Sequence, residues 1–407
     1  MLAAVDVNPD KRLLLLVLPQ QSVRAFVRRD FSQGEGLKRK HGHEKKAHAH
    51  SPQGSGIDRR LHTPEEDSLV PLEPLDLGRI RGIDYLVRAM GRTAFTARQV
   101  GVAADVLEAM ARDKDCLVVM TLAGAMTVAK QGLIITELID RGIVRALVST
   151  GALMAHGLVE GIGRSHYVYD PKMNDVELYE AGYNRVYDTL EPEQNLDQVE
   201  RIVAPILDQW NADETVCSWK LNRAIGEHLS KHVPGRGILK SAYEKDVSVF
   251  VPAFTDSELG LDLALHNRMR AKQGRAKLRY DPFEDVDKYA DTMLASPRMG
   301  VFTIGGGVPR NWTQQLGPYL ELRHRRGGED VPLKRFHYGV RICPEPVYWG
   351  GLSGSPYTEA VSWGKFVPPE EGGKFAELFL DATVGLPLVV GAVLERLQAS
   401  GSRVQAR

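Results

Sequence analysis

The sequence has few of the features that mark secreted, membrane-bound or metal-binding proteins. Its three cysteines, Cys116, Cys217 and Cys343, are widely spaced and form no CxxC pair, so they predict neither a disulfide framework nor a zinc site. The longest early apolar run, at 13–18, is far shorter than the ~20 residues that span a bilayer, and no convincing signal cleavage site follows it. These absences favour a cytoplasmic location and no membrane partner.

An excess of charge of one sign is also missing. Lys plus Arg equals Asp plus Glu at 52 each, so no overall field directs the chain toward nucleic acid. Residues 1–60 nevertheless hold twelve Lys or Arg against six Asp or Glu, and 33–56 are rich in Gly, Lys and His without a periodic apolar face. We therefore predict a basic, His-rich, disordered extension over residues 1–70 and one catalytic domain over residues 71–407.

Several common catalytic motifs are absent as well. No GxGxxG follows a predicted strand, and HExxH and GxSxG do not occur in the part predicted to be ordered. Gly364 and Lys365 resemble the end of a phosphate-binding loop, but Glu359 and Phe366 stand where that loop requires Gly and Ser or Thr. The spacing of potential ligands predicts no metal site, and His166 is interpreted as a structural histidine.

What the chain does have, from about Thr93 onward, is an alternation of two patterns. Short apolar runs typical of buried strands alternate with segments that have the apolar period of a helix. Such an alternation predicts βαβ units, and hence an α/β, doubly wound, mainly parallel Rossmann-like sheet with helices on both faces. The predicted strands are 116–122, 143–149, 247–253, 299–304, 336–343 and 376–380, and the main predicted helices are 81–90, 97–111, 128–141, 259–269, 312–323 and 386–397.

Small residues and hydroxyls dominate five segments that follow predicted strands. Parallel sheets bind ligands at the carboxyl ends of their strands, and glycine there lets backbone N–H groups approach a phosphate. Asp256 and Asp381 could accept hydrogen bonds from ribose hydroxyls. One such segment alone is better explained as a tight turn, but the five together favour a nucleotide-type ligand. They are LAGAM at 122–126, STGA at 149–152, PAFTD at 252–256, GGGVP at 305–309 and DAT at 381–383.

Lys365 ends the segment EAVSWGK, which follows a loop-like GGLSGSP at 350–356. Most lysines are solvated surface charges. A lysine in a dry pocket, however, attacks carbonyls and imines once desolvation or a nearby cation lowers its pKa. Trp363 could provide an apolar wall that lowers that pKa, and Trp363 and Glu359 together offer the aromatic face and carboxylate that attract a polyamine.

Seven segments, in this order along the chain, resemble the deoxyhypusine synthase family between about Thr93 and Leu397. Their number and order make the resemblance specific, and the first ninety or so residues contribute nothing to it. The segments are LAGAM at 122–126, VSTGALMAHGLVE at 148–160, PAFTDSELG at 252–260, GGGVPRN at 305–311, GGLSG at 350–354, EAVSWGK at 359–365 and DATVGLPL at 381–388.

The resemblance implies an NAD-dependent transfer of an aminobutyl group from spermidine to an acceptor amine, in a homotetramer. In that family a lysine forms an imine with the aminobutyl group, and this position corresponds to Lys365. The implied amine-binding residues are Glu359, Trp363, Asn311, His156, Gly350, Gly351 and Leu352. The implied NAD contacts are Gly124, Ala125, Thr150, Gly151, His156, Asp256, Gly306, Asp381 and Ala382.

Three departures from eukaryotic members leave the identity of the amines open. Leu261 and Leu352 stand where those members have aspartates that hold the polyamine, and Asn311 stands where they have a histidine. Losing a carboxylate that pairs with a buried ammonium costs ~2–5 kcal/mol, enough to change which amine binds. Leucines here are typical of the prokaryotic deoxyhypusine synthase-like branch, whose acceptors are not all protein lysines.

Three hypotheses follow from these observations. The acceptor is the lysine of the hypusine-carrying translation factor, or it is a free diamine such as putrescine, which would give homospermidine. Alternatively, the chain is an inactive NAD-binding scaffold. The presence of Lys365, Trp363 and Glu359 argues against the scaffold, because a scaffold has no need of a lysine nucleophile.

Overall fold

The computed structural model describes residues 60–399 and Gly401, so most of the predicted N-terminal extension lies outside the described residues. The chain divides into two units at residue 68. In residues 60–68, Thr63 and Glu66 each accept a hydrogen bond from the other's backbone N–H, at 3.3 and 3.0 Å. Within the part of the chain that the structure describes, the helices and strands lie in the second unit.

The second unit is built from alternating helices and strands. The α-helices of the described residues are α1 (Ile83–Gly91), α2 (Phe95–Arg112), α3 (Gly132–Asp140), α4 (Gly151–Gly161), α5 (Asp175–Glu180), α6 (Glu193–Asp208), α7 (Ser218–His232), α8 (Ile238–Glu244), α9 (Glu258–Lys272), α10 (Phe283–Leu294), α11 (Gly307–Gln314), α12 (Leu316–Arg325), α13 (Tyr357–Val361) and α14 (Ala382–Ala399). The strands are β1 (Cys116–Leu122), β2 (Ala146–Ser149), β3 (Tyr167–Val168), β4 (Tyr183–Val186), β5 (Thr189–Pro192), β6 (Thr215–Val216), β7 (Ser248–Phe250), β8 (Arg279–Tyr280), β9 (Arg298–Ile304), β10 (Tyr338–Ile342) and β11 (Lys374–Leu378).

Six parallel strands form the main sheet, in the spatial order β7-β2-β1-β9-β10-β11. The chain builds outward from β1 through β2 to β7 on one side, and then from β9 through β10 to β11 on the other. Numbered along the chain, this is the order 3-2-1-4-5-6 of the doubly wound dinucleotide-binding fold. The predicted α/β, doubly wound, mainly parallel Rossmann-like sheet is confirmed.

Strand β1 lies at the centre of the sheet and separates two hydrophobic cores. All seven of its side chains are buried, and successive side chains point to opposite faces. Val118 and Met120 pack in one core with residues of α2 and α14. Leu117 and Val119 pack in the second core with residues of α10 and α12. Burial on both faces explains why β1 is a continuous apolar run rather than an alternating one.

Two predicted helices differ from the observed ones at places where the backbone turns. The predicted helix 312–323 is wrong as a single element, because α11 ends and α12 begins on either side of Gln315. The predicted helix 128–141 begins only at Gly132, since Lys130 has a φ of +62°, which no helix accommodates. Apolar periodicity did not reveal either break.

The last helix, α14, begins earlier than its apolar pattern predicts. It starts at Ala382, so Pro387 lies inside the helix and not in its first turn, as the sequence suggested. A proline has no N–H, which leaves the carbonyl of Thr383, four residues earlier, without its helical donor. The side-chain amide of Gln131 donates to that carbonyl at 2.6 Å. A distant side chain therefore replaces the missing bond.

Helix α14 is also, among the described helices, the one that is long and apolar enough to cross a membrane by length and composition. Its apolar residues are used within the protein instead. Leu386, Val389, Val390 and Val393 are buried in the core, and the helix packs against α1 and α2. Its composition is explained by this burial.

A small antiparallel sheet, in the order β3-β5-β4, interrupts the alternation between α4 and α6. The sequence analysis did not predict these strands, which are two to four residues long and largely exposed in β3 and β4. In β5, by contrast, Leu190 and Glu191 are buried.

Candidate active site

The loops that follow β1, β2 and β9 meet at the carboxyl edge of the main sheet. The backbone N–H of Thr150, after β2, donates to the carbonyl of Leu122 at 3.2 Å. A Cβ placed on Gly305, after β9, would lie 3.2 Å from the carbonyl oxygen of Ala123, after β1. Because the strand order reverses between β1 and β9, this edge is the position at which doubly wound folds bind their ligands.

Two glycines at this edge leave room for a ligand. Gly124 and Gly307 have positive φ values of +83° and +66°. A Cβ on Gly307 would meet nothing within 4 Å, and one on Gly124 would meet only the methyl group of Met126 at 4.0 Å. Gly124 and Ala125 are exposed. The backbone at these two glycines is unobstructed, and Gly307 is the first residue of α11. This arrangement fits the close approach of a nucleotide phosphate to the backbone N–H groups.

Two other predicted cofactor contacts have a structural explanation. A Cβ on Gly151 would lie 2.3 Å from the side chain of Ser257, and one on Gly306 would lie 2.4 Å from Ser353. These positions must be glycine because the protein's own segments pack there. The absence of a side chain at them is therefore no sign of a ligand.

The predicted contacts near β7 and α14 are divided between exposed and buried positions. Asp381 caps α14, since its carboxylate accepts from the N–H of Thr383 at 2.8 Å and from the Thr383 hydroxyl. Asp381 and Asp256 are exposed, whereas Ala382 is buried in the first turn of α14. The two carboxylates remain accessible to a ligand, while the side chain of Ala382 does not.

A cavity of about 190 Å³ brings together the residues predicted around the lysine. Five of the predicted residues line it, and Gly350 and Gly351 do not. The sequence analysis missed Arg310 and the two glutamines, although Arg310 lies in the GGGVPRN segment beside Asn311. The lining residues are Arg310, Asn311, Gln314, Gln315, Leu352, Ser355, Glu359, Ala360, Trp363 and Lys365.

The backbone on both sides of Lys365 is fixed. Its N–H donates to the carbonyl of Ala360 at 3.1 Å, and its carbonyl accepts from Phe336 at 2.9 Å. The turn before it uses Gly364, whose φ of +68° favours glycine. The side chain is only 9% exposed, and its Nζ donates to the Oδ1 of Asn311 at 3.2 Å. The amine is therefore held at a defined position in the cavity.

The environment of Lys365 favours its neutral form. Burial is the main cause that lowers its pKa, the nearby Arg310 guanidinium lowers it further, and Glu359 acts in the opposite direction. Trp363 contributes less than predicted, because its side chain is 64% exposed even though the lysine Nζ lies 5.8 Å from its ring centroid. The cavity as a whole, rather than one aromatic wall, removes water from the amine.

His156 lies in a separate cluster and not in the lysine cavity. Its Nδ1 is 2.5 Å from the Glu191 carboxylate, whose other oxygen is 3.4 Å from Nε2 of His166. These residues form a group that could hold a metal ion, which sequence spacing did not reveal. Two features fit a network of paired charges better than metal ligation. One is the short N–O distance between His156 and Glu191, and the other is Lys130, whose ammonium is 3.1 Å from the other nitrogen of His166.

The pKa values within this cluster follow from the pairing. Burial alone would raise the pKa of Glu191, but its close contacts with His156 and His166 and their charges together outweigh it and lower the pKa to about 2. Burial would likewise lower the pKa of His156, but Glu191 reverses this and raises it. Glu191 is therefore a buried anion that favours the charged form of His156.

Comparison with known proteins identifies the family of this chain. The model of the deoxyhypusine synthase family matches residues 85–393. "Probable deoxyhypusine synthase 2" of Methanosarcina mazei is 34% identical over 331 residues, which cover 80% of this chain and 90% of that protein. "Deoxyhypusine synthase-like protein" of Chlorobaculum parvum is 32% identical over 308 residues, which cover 75% and 84%.

A solved structure of an Entamoeba histolytica protein assigned to deoxyhypusine synthase has the same fold. Its TM-score is 0.53 at 14% identity, and the match covers 80% of this chain and 97% of that one. The doubly wound fold and the family match together place this chain among α/β enzymes. The chain belongs to the deoxyhypusine synthase family, whose enzymes transfer aminobutyl groups.

Proposed function

We propose that this protein transfers an aminobutyl group from a polyamine, with spermidine as the family's donor, to an acceptor amine through an imine on Lys365. The observation that supports this most directly is the state of the lysine. It is nearly buried, its pKa is lowered, and the amide oxygen of Asn311 holds its amine in the cavity. A surface lysine with a structural role would need none of these features.

NAD is the proposed cofactor. The backbone at Gly124 and Gly307 is unobstructed, which leaves room for a dinucleotide at the edge of the sheet where the strand order reverses. Asp256 and Asp381 would accept from its ribose hydroxyls, and the N-terminus of α11 at Gly307 would face its phosphates. The chemistry that bound NAD supplies is reversible hydride transfer, which oxidises the donor amine to an imine and later reduces the product.

Lys365 carries out the transfer itself. Its neutral amine attacks the imine carbon of the oxidised donor, and a new carbon–nitrogen bond forms. The bond from that carbon to the original amine nitrogen then breaks, and the departing amine takes the proton that Lys365 loses. The acceptor amine repeats this exchange and frees Lys365. Lys365 is itself only 9% exposed in the cavity, which limits the access of water to the imine during the exchange.

Two acceptors are consistent with the cavity. One is the lysine of the hypusine-carrying translation factor, and the other is a free diamine such as putrescine, which would yield homospermidine. Leu352 favours the free diamine, since it lines the cavity where eukaryotic members have an aspartate. We place the reaction in the cytoplasm and propose a homotetramer, as in the family.

Trapping of the imine tests the proposal. The protein is incubated with NAD and spermidine or putrescine, reduced with borohydride, and mapped by peptide mass spectrometry. We expect an aminobutyl adduct on Lys365 that is absent from Lys365→Ala. Lys334→Ala is the matched control, because burial also lowers the pKa of Lys334, which bonds the Leu294 carbonyl at 2.9 Å outside the cavity. No adduct with any polyamine would refute the proposal.

A further inference from the structure

The unobstructed backbone that would receive NAD belongs to a loop whose two halves are bonded to each other. This loop, which we call the cofactor loop, consists of residues 123–131 between β1 and α3. Its first half contains Gly124 and Ala125, which are exposed. Two backbone bonds join the halves, from the N–H of Ala129 to the carbonyl of Ala125 at 2.8 Å and from the N–H of Gln131 to that of Met126 at 2.9 Å. The position of the exposed half therefore depends on that of the second half.

Lys130 fastens the second half of the cofactor loop to two other parts of the protein. Its ammonium lies 2.8 Å from the Glu160 carboxylate of α4 and 3.1 Å from Nδ1 of His166, next to the small antiparallel sheet. Because a lysine ammonium can only donate, Nδ1 of His166 is the acceptor and its ring proton is on Nε2. That Nε2 faces Glu191 of β5 at 3.4 Å. One amine thus connects the loop to α4 and to the small sheet.

The backbone of Lys130 adopts a conformation that the surrounding contacts impose. Its φ of +62° is unfavourable for a residue with a side chain, and such a residue persists only where its surroundings hold it. The N–H of Lys130 donates to the carbonyl of Thr127 at 3.0 Å, and the Thr127 hydroxyl donates to the carbonyl of Leu153 in α4 at 3.1 Å. Main chain and side chain therefore hold the same end of the loop against α4.

We infer that Lys130 is a positioning residue for the proposed NAD site, and that it acts by holding the cofactor loop against α4 and the small antiparallel sheet. A loop that is already ordered loses less conformational freedom when its ligand binds, so the ligand binds more tightly. Without the bonds from Lys130 to Glu160 and His166, NAD itself would have to order the loop. This inference rests on the proposed function, because it concerns the cofactor that the loop would receive.

Direct contact between Lys130 and an NAD phosphate is the competing explanation. The side chain is 47% exposed, and an ammonium pairs readily with a phosphate. Lys130→Met would weaken NAD binding in either case, but the two roles differ in their response to Glu160→Gln. A direct contact would be kept or strengthened, because the ammonium loses a competing carboxylate. A positioning role would be weakened, because the loop loses one of its attachments.

Calorimetry with NAD on the full-length protein, without amine, gives the dissociation constant of each variant. We expect Lys130→Met to weaken NAD binding roughly fivefold to tenfold and Glu160→Gln roughly threefold, as loops lose order. Lys130→Arg should keep most of the affinity, since a guanidinium can donate to both partners. Lys231→Met is the matched control, because Lys231 forms an exposed ion pair with Glu227 on α7 at 2.6 Å, and its NAD affinity should be unchanged.

A second measurement separates positioning from a role in the transfer itself. The rate of borohydride-trapped adduct formation is followed at increasing NAD concentration with putrescine or spermidine. In Lys130→Met the NAD concentration for half the maximal rate should rise with the dissociation constant, while the rate at saturating NAD should match that of the natural protein. A lower rate at saturating NAD with unchanged NAD affinity would overturn the inference.

The other outcomes distinguish the inference from the proposed function. Equal NAD affinity in the natural protein and Lys130→Met would overturn the inference and leave the transfer reaction standing. Unchanged or tighter NAD binding in Glu160→Gln would also overturn it, in favour of direct contact. NAD affinity that depends on both residues, without any adduct on Lys365, would support the inference and refute the transfer reaction. No NAD binding by the natural protein would refute both.

Discussion

The buried carboxylate of Glu191 should make a measurable part of the stability depend on pH. Its two oxygens lie 2.5 Å from Nδ1 of His156 and 3.4 Å from Nε2 of His166. In the folded protein its pKa is lowered to about 2 from an ordinary value of 4.5. At 1.36 kcal/mol for each pKa unit, this difference corresponds to ~3 kcal/mol of stability.

The sign of the effect follows from the direction of the shift. Because the folded pKa of Glu191 is lowered, its stabilising contribution is complete above pH 4.5 and disappears as the pH falls toward 2. The pKa of His156 is raised, so its contribution is complete below 6.5 and is lost as the pH rises through the folded value. The pair is therefore most stabilising between these two limits.

The perturbation is Glu191→Gln, which keeps the size of the side chain and removes its charge. Near pH 6 the variant should lose ~3–5 kcal/mol of unfolding free energy, because buried His156 is left without its counter-charge. The difference between the natural protein and the variant should shrink as the pH falls to 2. Urea unfolding followed by circular dichroism at a series of pH values measures both quantities.

Glu193→Gln is the matched control, since Glu193 is exposed and lies two residues away. Its pH profile should run parallel to that of the natural protein. Subtracting the profiles removes the titration of all other carboxylates. A constant difference between the natural protein and Glu191→Gln from pH 6 to pH 2 would refute the assignment of a lowered pKa to Glu191.

Two further substitutions test the packing that positions the sites. Gly151→Ala should cost ~1–3 kcal/mol of stability, because its Cβ would lie 2.3 Å from Ser257, and Ser257→Gly in the same chain should recover part of the loss in a double-mutant cycle. Arg396→Leu should lower the unfolding free energy by ~1–3 kcal/mol, because it removes the buried guanidinium that Asp84 contacts at 2.5 Å, while Asp84 keeps its ion pair with Arg88. Arg325→Leu, at an exposed pair, should cost less than ~1 kcal/mol, and equal losses would contradict this reasoning.

The fold could be predicted from local patterns because its central strands are buried on both faces. Residues 116–122 form a strand with the predicted bounds, and the strand predicted at 299–304 begins one residue earlier. The lysine cavity was predicted in part, since Glu359, Trp363 and Lys365 are close together in the sequence. The resemblance to the family added Asn311 and Leu352 to this group.

The remainder depends on contacts between residues that are far apart in the sequence. Arg341 reaches the loop at 353–355 from a neighbouring strand, and nothing in the apolar run of β10 indicates it. Glu191 meets His156 through a small sheet whose strands are too short to give a pattern. The start of α14 was misplaced because Gln131 replaces a backbone bond that Pro387 removes. Only the folded chain reveals such partners.

The bond from Gln131 to the carbonyl of Thr383 also has a consequence for synthesis on the ribosome. Its partners are 252 residues apart, and the bond from Arg396 to Asp84 spans 312 residues. At a synthesis rate of ~5–20 residues per second, roughly 10 to 60 s pass between the synthesis of α1 and α2 and that of α14. During that time the apolar faces of α1 and α2 that α14 later covers stay open to chaperones and to neighbouring chains.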